Sequence, residues 1–224
     1  MVWVRIYRRY KIEIFELSEN NLSYPYNLYN IIDRPKKIYV IGNIENLRRK
    51  AVTIVGSRKC TKKGAYHARK LAYNFAKNNY VIVSGLAKGI DSFAHIGALN
   101  AGGRTVAVLG SGLDKIYPLE NSELAKKILY SNGTIISEYP LNSKIYKENF
   151  VRRNRIISGL SSKVVIVEAR KNSGALITSN FALDQGKSVY AIPGKITDLN
   201  YLGTNDLIKN GAKILYSCSI CNII

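Results

Sequence analysis

The feature that most constrains the fold is a series of short apolar runs, rich in β-branched residues, that recurs along the chain from residue 51. A run that is apolar throughout, without alternation, is typical of a strand buried on both faces, as in a parallel sheet. We therefore predict strands at residues 51–55, 80–84, 105–109, 134–137, 164–167, 188–192 and 213–216.

Amphipathic stretches separate these runs. Residues 64–77, for example, place Ala68, Leu71 and Phe75 on one helical face. Further helices are predicted at residues 91–101, 121–130, 173–185 and 204–210. Strands that alternate with helices over short connections predict an α/β fold with a doubly wound sheet.

The chain is expected to have three parts. Residues 1–45 form a short basic N-terminal extension, residues 46–217 the core, and residues 218–224 a lightly packed C-terminal tail. Within the extension we expect a strand or two before residue 23, a short helix at 27–32 and a strand at 38–42. Its first basic residues are Arg5, Arg8, Arg9 and Lys11.

The charge points to a polyanionic partner. The 34 Lys and Arg residues outnumber the 15 Asp and Glu residues, which gives a formal net charge of +19. Such a surplus favours nucleic acid or an anionic membrane face, although Lys-rich coding bias could inflate it. No apolar run has membrane-spanning length, no signal peptide is recognisable, and three cysteines cannot all pair. We therefore expect a reduced, cytoplasmic protein that does not enter the membrane.

The loop after the first predicted core strand is a candidate anion site. Ligands of doubly wound sheets bind outside the carboxyl ends of the strands, where this strand is followed by Gly56, Ser57 and Arg58. Glycine allows close approach of the backbone, and arginine offers a planar fork to a phosphate. The alternative is a plain turn with a solvated arginine.

The loop that follows the next strand has a related composition. Gly85 and Gly89 flank Lys88 directly ahead of a predicted helix, for which Asp91 would be the N-cap. The spacing matches neither a dinucleotide fingerprint nor a Walker A loop. We favour contact with a phosphate over the alternative of a tight strand-to-helix connection.

Residues 147–155 gather basic side chains around one aromatic ring. The segment contains Lys147, Phe150, Arg152, Arg153 and Asn154. Aromatic stacking beside Arg and Lys is a common way to hold single-stranded nucleic acid without sequence readout. The alternative is a solvated basic helix start with Phe150 in the core.

Two catalytic interpretations are weaker. Asp91 and His95 could form a hydrolytic triad with Ser84 or Ser111, but no nucleophile elbow is present, and a cap plus a structural histidine is the better interpretation. Glu138 and Glu168 could hold Mg²⁺ or act in acid–base chemistry. More simply, they cap loops or pair with one of the arginines Arg152, Arg153, Arg155 and Arg170.

No metal site is predicted. Cys218 and Cys221 have zinc-knuckle spacing, but no second pair of ligands accompanies them. We therefore expect neither a catalytic residue, nor a metal, nor a cofactor.

Read in order, the motifs resemble the DNA-processing protein A (DprA/Smf) family from about residue 24 to residue 216. The resemblance rests on residues 56–58, 84–91 with His95, 106–114 with Tyr117-Pro118, 137–140, 150–157, 167–169, 173–178, 192–194 and 203–208 with Gly211-Ala212.

The resemblance implies an extended Rossmann-like core with a mostly parallel sheet and helices on both faces. It also implies sequence-independent binding of single-stranded DNA, protection of incoming DNA in natural transformation, assistance in loading the RecA recombinase, and a homodimer without catalytic activity. Many relatives carry an N-terminal helical module and a C-terminal winged-helix-like module, and we expect neither here.

The family's site residues fall on matching positions of this chain. Arg58 and Lys147 would contact phosphates, Phe150 would stack on or wedge against a base, and Arg153 and Asn154 complete that motif. Lys88 stands where the family usually has arginine, which keeps the charge but loses the bidentate fork.

Two other classes of function stay open. One is a nucleotide-binding or nucleotide-hydrolysing Rossmann-like enzyme. Such relatives carry a Pro-Gly-Gly-x-Gly-Thr loop where this chain has Lys171-Asn-Ser-Gly174, which argues against that class. The other is a scaffold that recruits a recombinase and has little affinity for DNA.

Overall fold

The computed structural model describes residues 13–218, which contain nine strands joined in a single sheet. The strands are β1 (Ile14–Ser18), β2 (Lys37–Gly42), β3 (Ala51–Val55), β4 (Val81–Ser84), β5 (Thr105–Leu109), β6 (Thr134–Ser137), β7 (Lys163–Ile166), β8 (Ser188–Ala191) and β9 (Lys213–Ile214). Their order across the sheet is β1-β2-β6-β5-β4-β3-β7-β8-β9.

Helices cover both faces of this sheet. They are α1 (Tyr26–Tyr29), α2 (Lys62–Lys77), α3 (Ile90–Asn100), α4 (Ser122–Tyr130), α5 (Lys147–Gly159), α6 (Gly174–Asp184) and α7 (Leu202–Lys209), with 3-10 turns at Ile44–Arg48 and Leu119–Asn121. Buried residues of α1, α5 and α6 pack on one face, and those of α2, α3 and α4 on the other.

The central strands are parallel, as the sequence predicts. β3 lies in the middle, pairs in parallel with β4 on one side and β7 on the other, and is buried along its whole length. The chain builds outward from β3 to β6 and then returns to start again at β7, so strand order reverses between β3 and β7. The predicted class, an extended Rossmann-like doubly wound sheet with helices on both faces, is confirmed.

The described part of the N-terminal extension belongs to the same sheet. β2 pairs antiparallel with β6, and β1 pairs antiparallel with β2. The boundary at residue 45 and that at residue 217 stay predictions, as no observation tests them as domain limits. Arg5, Arg8, Arg9 and Lys11 lie outside the described residues.

No helix between residues 13 and 218 has both the length and the apolar character that a bilayer crossing requires.

Candidate nucleic-acid interface

An open groove of about 720 Å³ lies at the carboxyl edge of the sheet, where strand order reverses between β3 and β7. We call it the carboxyl-edge groove. Its walls come from the loops that follow β3 and β4 and from the first turns of α5 and α6. The lining includes Gly56, Ser57, Arg58, Lys147, Phe150, Arg153, Asn154, Arg170, Ser173 and Gly174.

The loop after β3 is held close to β7. The Ser57 amide donates to the Glu168 carbonyl at 2.7 Å. A Cβ on Gly56 would lie 2.8 Å from that same carbonyl oxygen, so no larger residue fits without movement. This anchoring leaves the Arg58 side chain exposed, and it lines both the groove and a smaller adjoining cavity of about 90 Å³.

The loop after β4 is stabilised by a buried carboxylate. The Gly85 amide donates to Oδ2 of Asp91 at 3.0 Å. The N-cap of α3 is Gly89, with φ of 77°, so Asp91 lies inside the first turn and the prediction that it caps the helix was wrong. Gly89 packs on the carbonyls of Ser57 and Arg58, where a Cβ would collide. The two loops therefore form one unit.

Lys88 is at the exposed tip of this second loop. Its ammonium group pairs with Glu120, and 55% of its side chain is exposed. Lys88 also lines the smaller cavity with Arg58 and Phe150. The position is open to a ligand, at the cost of releasing a surface ion pair worth less than about 1 kcal/mol.

Helix α5 carries residues 147–155, for which the sequence allowed two interpretations. Lys147 is exposed in its first turn, and Phe150 is half-buried one turn later. The Phe150 ring lies 5.1 Å from that of Tyr117, with a tilt of 51°. A Cβ on Gly110 would lie 2.8 Å from the Phe150 ring, so glycine at the end of β5 allows this approach. Phe150 thus occupies the groove wall, and not the core.

Arg153 is the most deeply buried charged residue of the groove lining. It is 4% exposed, and its Nη1 donates to the carbonyls of Gly85, at 2.6 Å, and Val108. Burial lowers the pKa of Arg153 to about 10, and the negative charge of Asp91 opposes that shift. Because the guanidinium is already engaged with the backbone, its assignment as a DNA contact stays a prediction.

Asn154 and Arg152 differ in position although both flank Arg153. Asn154 is nearly buried, lines the groove and donates weakly, at 3.4 Å, to the Gly174 carbonyl. Arg152 is exposed on another side of α5, 3.8 Å from carboxylate oxygens of Asp33 and Glu138. The structure therefore brings Asn154, but not Arg152, to the carboxyl-edge groove.

Three groove elements escaped the residue-by-residue predictions. Tyr117 was noted only within a motif and Arg170 only as an ion-pair partner. Ser173-Gly174 was noted as the start of a helix, within a family motif and in the comparison with a nucleotide-binding loop, but not as a DNA contact. In the structure the N-terminus of α6 opens onto the groove. Apart from the chain neighbours and the backbone of α6, no atom of residues 13–218 lies within 4 Å of where a Gly174 Cβ would be. Free amides at a helix N-terminus attract anions.

The imagined triad is not assembled. His95 is fully buried, and its Nδ1 is 2.7 Å from the hydroxyl of Thr105. The hydroxyls of Ser84 and Ser111 donate to the carbonyls of Ile54 and Lys115, respectively. Because each group has a structural partner of its own, the interpretation of a structural histidine is the one that the geometry supports.

The two carboxylates also have structural partners. Glu138 accepts from Nη2 of Arg155 at 2.6 Å, which matches the predicted arginine pairing. Glu168 accepts from the amide and hydroxyl of Thr61 at the N-terminus of α2. Burial raises the pKa of Glu168, and the Thr61 hydrogen bonds oppose that rise.

Within residues 13–218, no group of three or more His, Cys, Asp or Glu side chains is arranged to hold a metal ion. The carbonyl of Cys218 accepts from the Asn74 side chain, which holds the start of the tail against α2. Cys221 lies outside the described residues.

Sequence and structure comparisons find close relatives. A family model described as DNA recombination-mediator protein A matches residues 17–223. The DNA processing protein DprA of Streptococcus pneumoniae is 43% identical over 194 residues, which cover 87% of this chain and 68% of that protein. The chain spans about half the length of two other curated relatives, the Smf proteins of Synechocystis and Escherichia coli (51% and 50%).

Two solved structures are similar over 92% of this chain. The DprA structure from S. pneumoniae superposes with a TM-score of 0.86 at 41% identity, covering 72% of that chain. The DNA processing protein A structure from Helicobacter pylori superposes with a TM-score of 0.83 at 32% identity, covering 92% of that chain. The H. pylori structure is described as showing a single-stranded DNA binding mode.

Proposed function

Because this chain belongs to the DNA recombination-mediator protein A family, we propose that it binds single-stranded DNA without sequence preference and so assists recombination. The observation that carries the proposal is the composition of one groove. Exposed cations, Arg58 and Lys147, line the same groove as the rings of Phe150 and Tyr117, which contact each other at a tilt.

This arrangement suits a strand whose bases are unpaired. Cations hold backbone phosphates, and an aromatic ring accepts the face of any base, so both contacts are independent of sequence. The amides at the N-terminus of α6 and the Arg170 side chain offer further phosphate contacts in the same groove. Duplex DNA, whose bases are stacked on each other, has no free base face for Phe150.

We assign the remaining site residues as follows. Gly56, Ser57, Gly85 and Gly89 shape the two loops so that the backbone comes close to the strand, and Lys88 and Asn154 contact the DNA at the groove margin. Arg153 supports the loop after β4 through Gly85. Arg152 meets the phosphate backbone outside the groove.

Membership of the family supports a further part of the proposal, which concerns partners. We propose that the protein forms a homodimer, protects incoming single strands in natural transformation and helps to load RecA onto them. It works in the cytoplasm, where the chromosome and the recombinase are. It acts without a catalytic step, since the Ser, His and carboxylate groups weighed above all serve the fold.

The first test compares affinities for single- and double-stranded DNA at two salt concentrations. With about five phosphate contacts, log K should fall with log salt at a slope near −3.5 for single strands. A flat salt response, or equal affinity for the duplex, would contradict the proposal. Release of base or phosphate from free nucleotides by pure protein would support the enzyme alternative.

Replacing Phe150 by alanine should weaken binding of single strands by about 1–3 kcal/mol while leaving the salt slope unchanged, because stacking is lost and no phosphate contact is. Fluorescence anisotropy with a labelled oligonucleotide measures both quantities. Phe150→Tyr, which keeps an aromatic face, is the matched control and should retain most of the affinity. Equal losses in both variants would argue against stacking.

Replacing Arg58 by alanine should weaken binding to all single-stranded sequences alike and make the salt slope shallower by about 0.7, the contribution of one phosphate. Lys88→Ala removes the same charge from the neighbouring loop but from a residue already paired with Glu120. It should therefore have the smaller effect. The assignment of Arg58 fails if its removal changes the affinity for only some sequences.

A further inference from the structure

A second basic groove lies at the opposite, amino edge of the sheet. Two adjoining depressions of about 360 and 330 Å³ share Arg49, Asn79 and Tyr80 in their walls. We call the pair the amino-edge groove. The loops that enter β3, β4, β5 and β6 form it, and these four strands are neighbours in the sheet. The groove therefore follows the sheet edge across four strands.

The charge of this groove has one sign. Its walls carry Arg49, Lys50, Lys77 and Arg104, and none of the described residues that line it is Asp or Glu. Asparagine, serine and glycine from the strand-entry loops supply the polar remainder. Lys163, at the start of β7, lies 5.7 Å over the ring of Tyr80 and extends the positive edge by one more strand.

These cations are unpaired within residues 13–218. The ion pairs of that part of the chain use other basic residues, which are Arg34, Lys37, Lys88, Lys126, Arg152, Arg155 and Lys171. Because no described carboxylate pairs with these cations or lines the groove, the amino edge keeps its positive potential.

Helix polarity explains only part of this charge. Helices α2, α3 and α4 end at this edge, and cations stabilise helix C-termini. That accounts for Lys77, in the last turn of α2. Arg49 likewise follows the 3-10 turn Ile44–Arg48 as its C-cap. Lys50 and Arg104 lie instead directly ahead of β3 and β5, outside any helix.

A basic path connects the two edges. Helix α2 begins near Arg58, ends at Lys77, and has no acidic residue among its 16 residues. Its exposed positions include Lys62, Lys63, Tyr66, Arg69 and Lys70. Sixteen helical residues span about 24 Å, the length of about seven stacked nucleotides.

We propose that the amino-edge groove is a second binding site for the phosphate backbone of single-stranded DNA. It holds a segment of the strand whose other part lies in the carboxyl-edge groove. The inference rests on the proposed function, and it adds a minimum length: only strands longer than about seven nucleotides can occupy both grooves.

The test measures binding of single strands of about 6 and about 30 nucleotides to the double variant Arg49→Ala/Arg104→Ala. For the long strand we expect a salt slope shallower by about 1.4 and affinity lower by about tenfold at 0.15 M salt, from two lost phosphate contacts. For the short strand we expect no change. Neither side chain donates a hydrogen bond within the described residues, and Arg49→Lys/Arg104→Lys should restore the slope.

The matched control is Lys37→Ala/Lys126→Ala, which removes two positive charges from residues outside both grooves. It should leave the salt slope for the long strand unchanged. The inference is overturned if the alanine variant binds the long strand with the wild-type slope, or if the control loses as much. Arg58→Ala should weaken both lengths. If it weakens neither, or if the wild type binds no DNA, the proposed function fails as well.

Discussion

Replacing Arg153 by methionine should lower the free energy of unfolding by about 3–5 kcal/mol, the usual loss when one partner of a buried charge pair is removed. Arg153 is 4% exposed and Asp91 5%, and the backbone of Gly85 links them: the Gly85 carbonyl accepts from Arg153, and the Gly85 amide donates to Asp91. Without the guanidinium, the Asp91 carboxylate would keep amide donors but lose its counter-charge.

The loss should depend on pH in a defined direction. Burial raises the pKa of Asp91, and Arg153 is the largest influence that opposes this rise. In the variant the pKa of Asp91 should be higher still. The variant should therefore lose more stability than the wild type as pH rises through that pKa. Urea unfolding at pH 4 and pH 7 should therefore show the larger deficit at pH 7.

Arg152→Met is the matched control, since it removes the adjacent arginine from the same helix but from an exposed site. Its cost should be below about 1 kcal/mol. The assignment of Arg153 as the residue that supports the loop after β4 fails if Arg153→Met has the same free energy of unfolding as the wild type. If that variant also binds single strands with a slope shallower by about 0.7, Arg153 contacts DNA directly.

His95 should make the protein sensitive to acid. Burial, aided by the charge of Arg153, lowers the pKa of His95 to about 3, against about 6.5 in an unfolded chain. Between pH 6.5 and pH 3 the imidazole of His95 is protonated in the unfolded chain but neutral in the folded protein. Stability from this residue is therefore fully present above pH 6.5 and falls by up to about 1.4 kcal/mol per unit below it, or about 3 kcal/mol at pH 4.

The measurement is the difference between wild type and His95→Gln in urea unfolding from pH 7 to pH 4. Subtracting the variant removes the contribution of Asp91, whose raised pKa acts in the opposite direction. The wild type should lose about 3 kcal/mol more than the variant over this range. His67→Gln, at a half-buried site, should retain most of the wild-type slope. Parallel pH profiles for wild type and His95→Gln would refute the assignment.

Much of the fold was open to prediction because its signals are local. A buried parallel strand needs an apolar run, and a helix needs a stripe of apolar residues, so β3, β5 and β6 were predicted at their observed bounds. Helix α5 was harder, since its first turns point basic residues to solvent and its last turns are wholly buried. No single periodicity spans such a helix.

The location of the site at the carboxyl edge of the sheet was predictable from the sequence, but the burial of its individual side chains was not. The motifs located Arg58, Lys147 and Phe150 in the loop and helix that form the groove. They could not distinguish Arg153 from Arg152, although Arg153 is buried in the groove lining and Arg152 is exposed outside the groove. Side-chain burial depends on what packs against the helix, and for Arg153 that is the ends of β4 and β5.

The amino-acid sequence by itself determined the order of strands and helices along the chain and the parallel class of the sheet. It also determined that Gly, Ser and Arg are abundant at the carboxyl edge. All three are properties of neighbouring residues. Only the tertiary structure decided which charges remain free. Arg155, for example, is neutralised by Asp33, 122 residues away, whereas Arg49 and Arg104 meet no carboxylate within the described residues. Ion pairs join residues that are far apart in the chain, so they depend on the order of strands in the sheet. No local sequence pattern specifies that order.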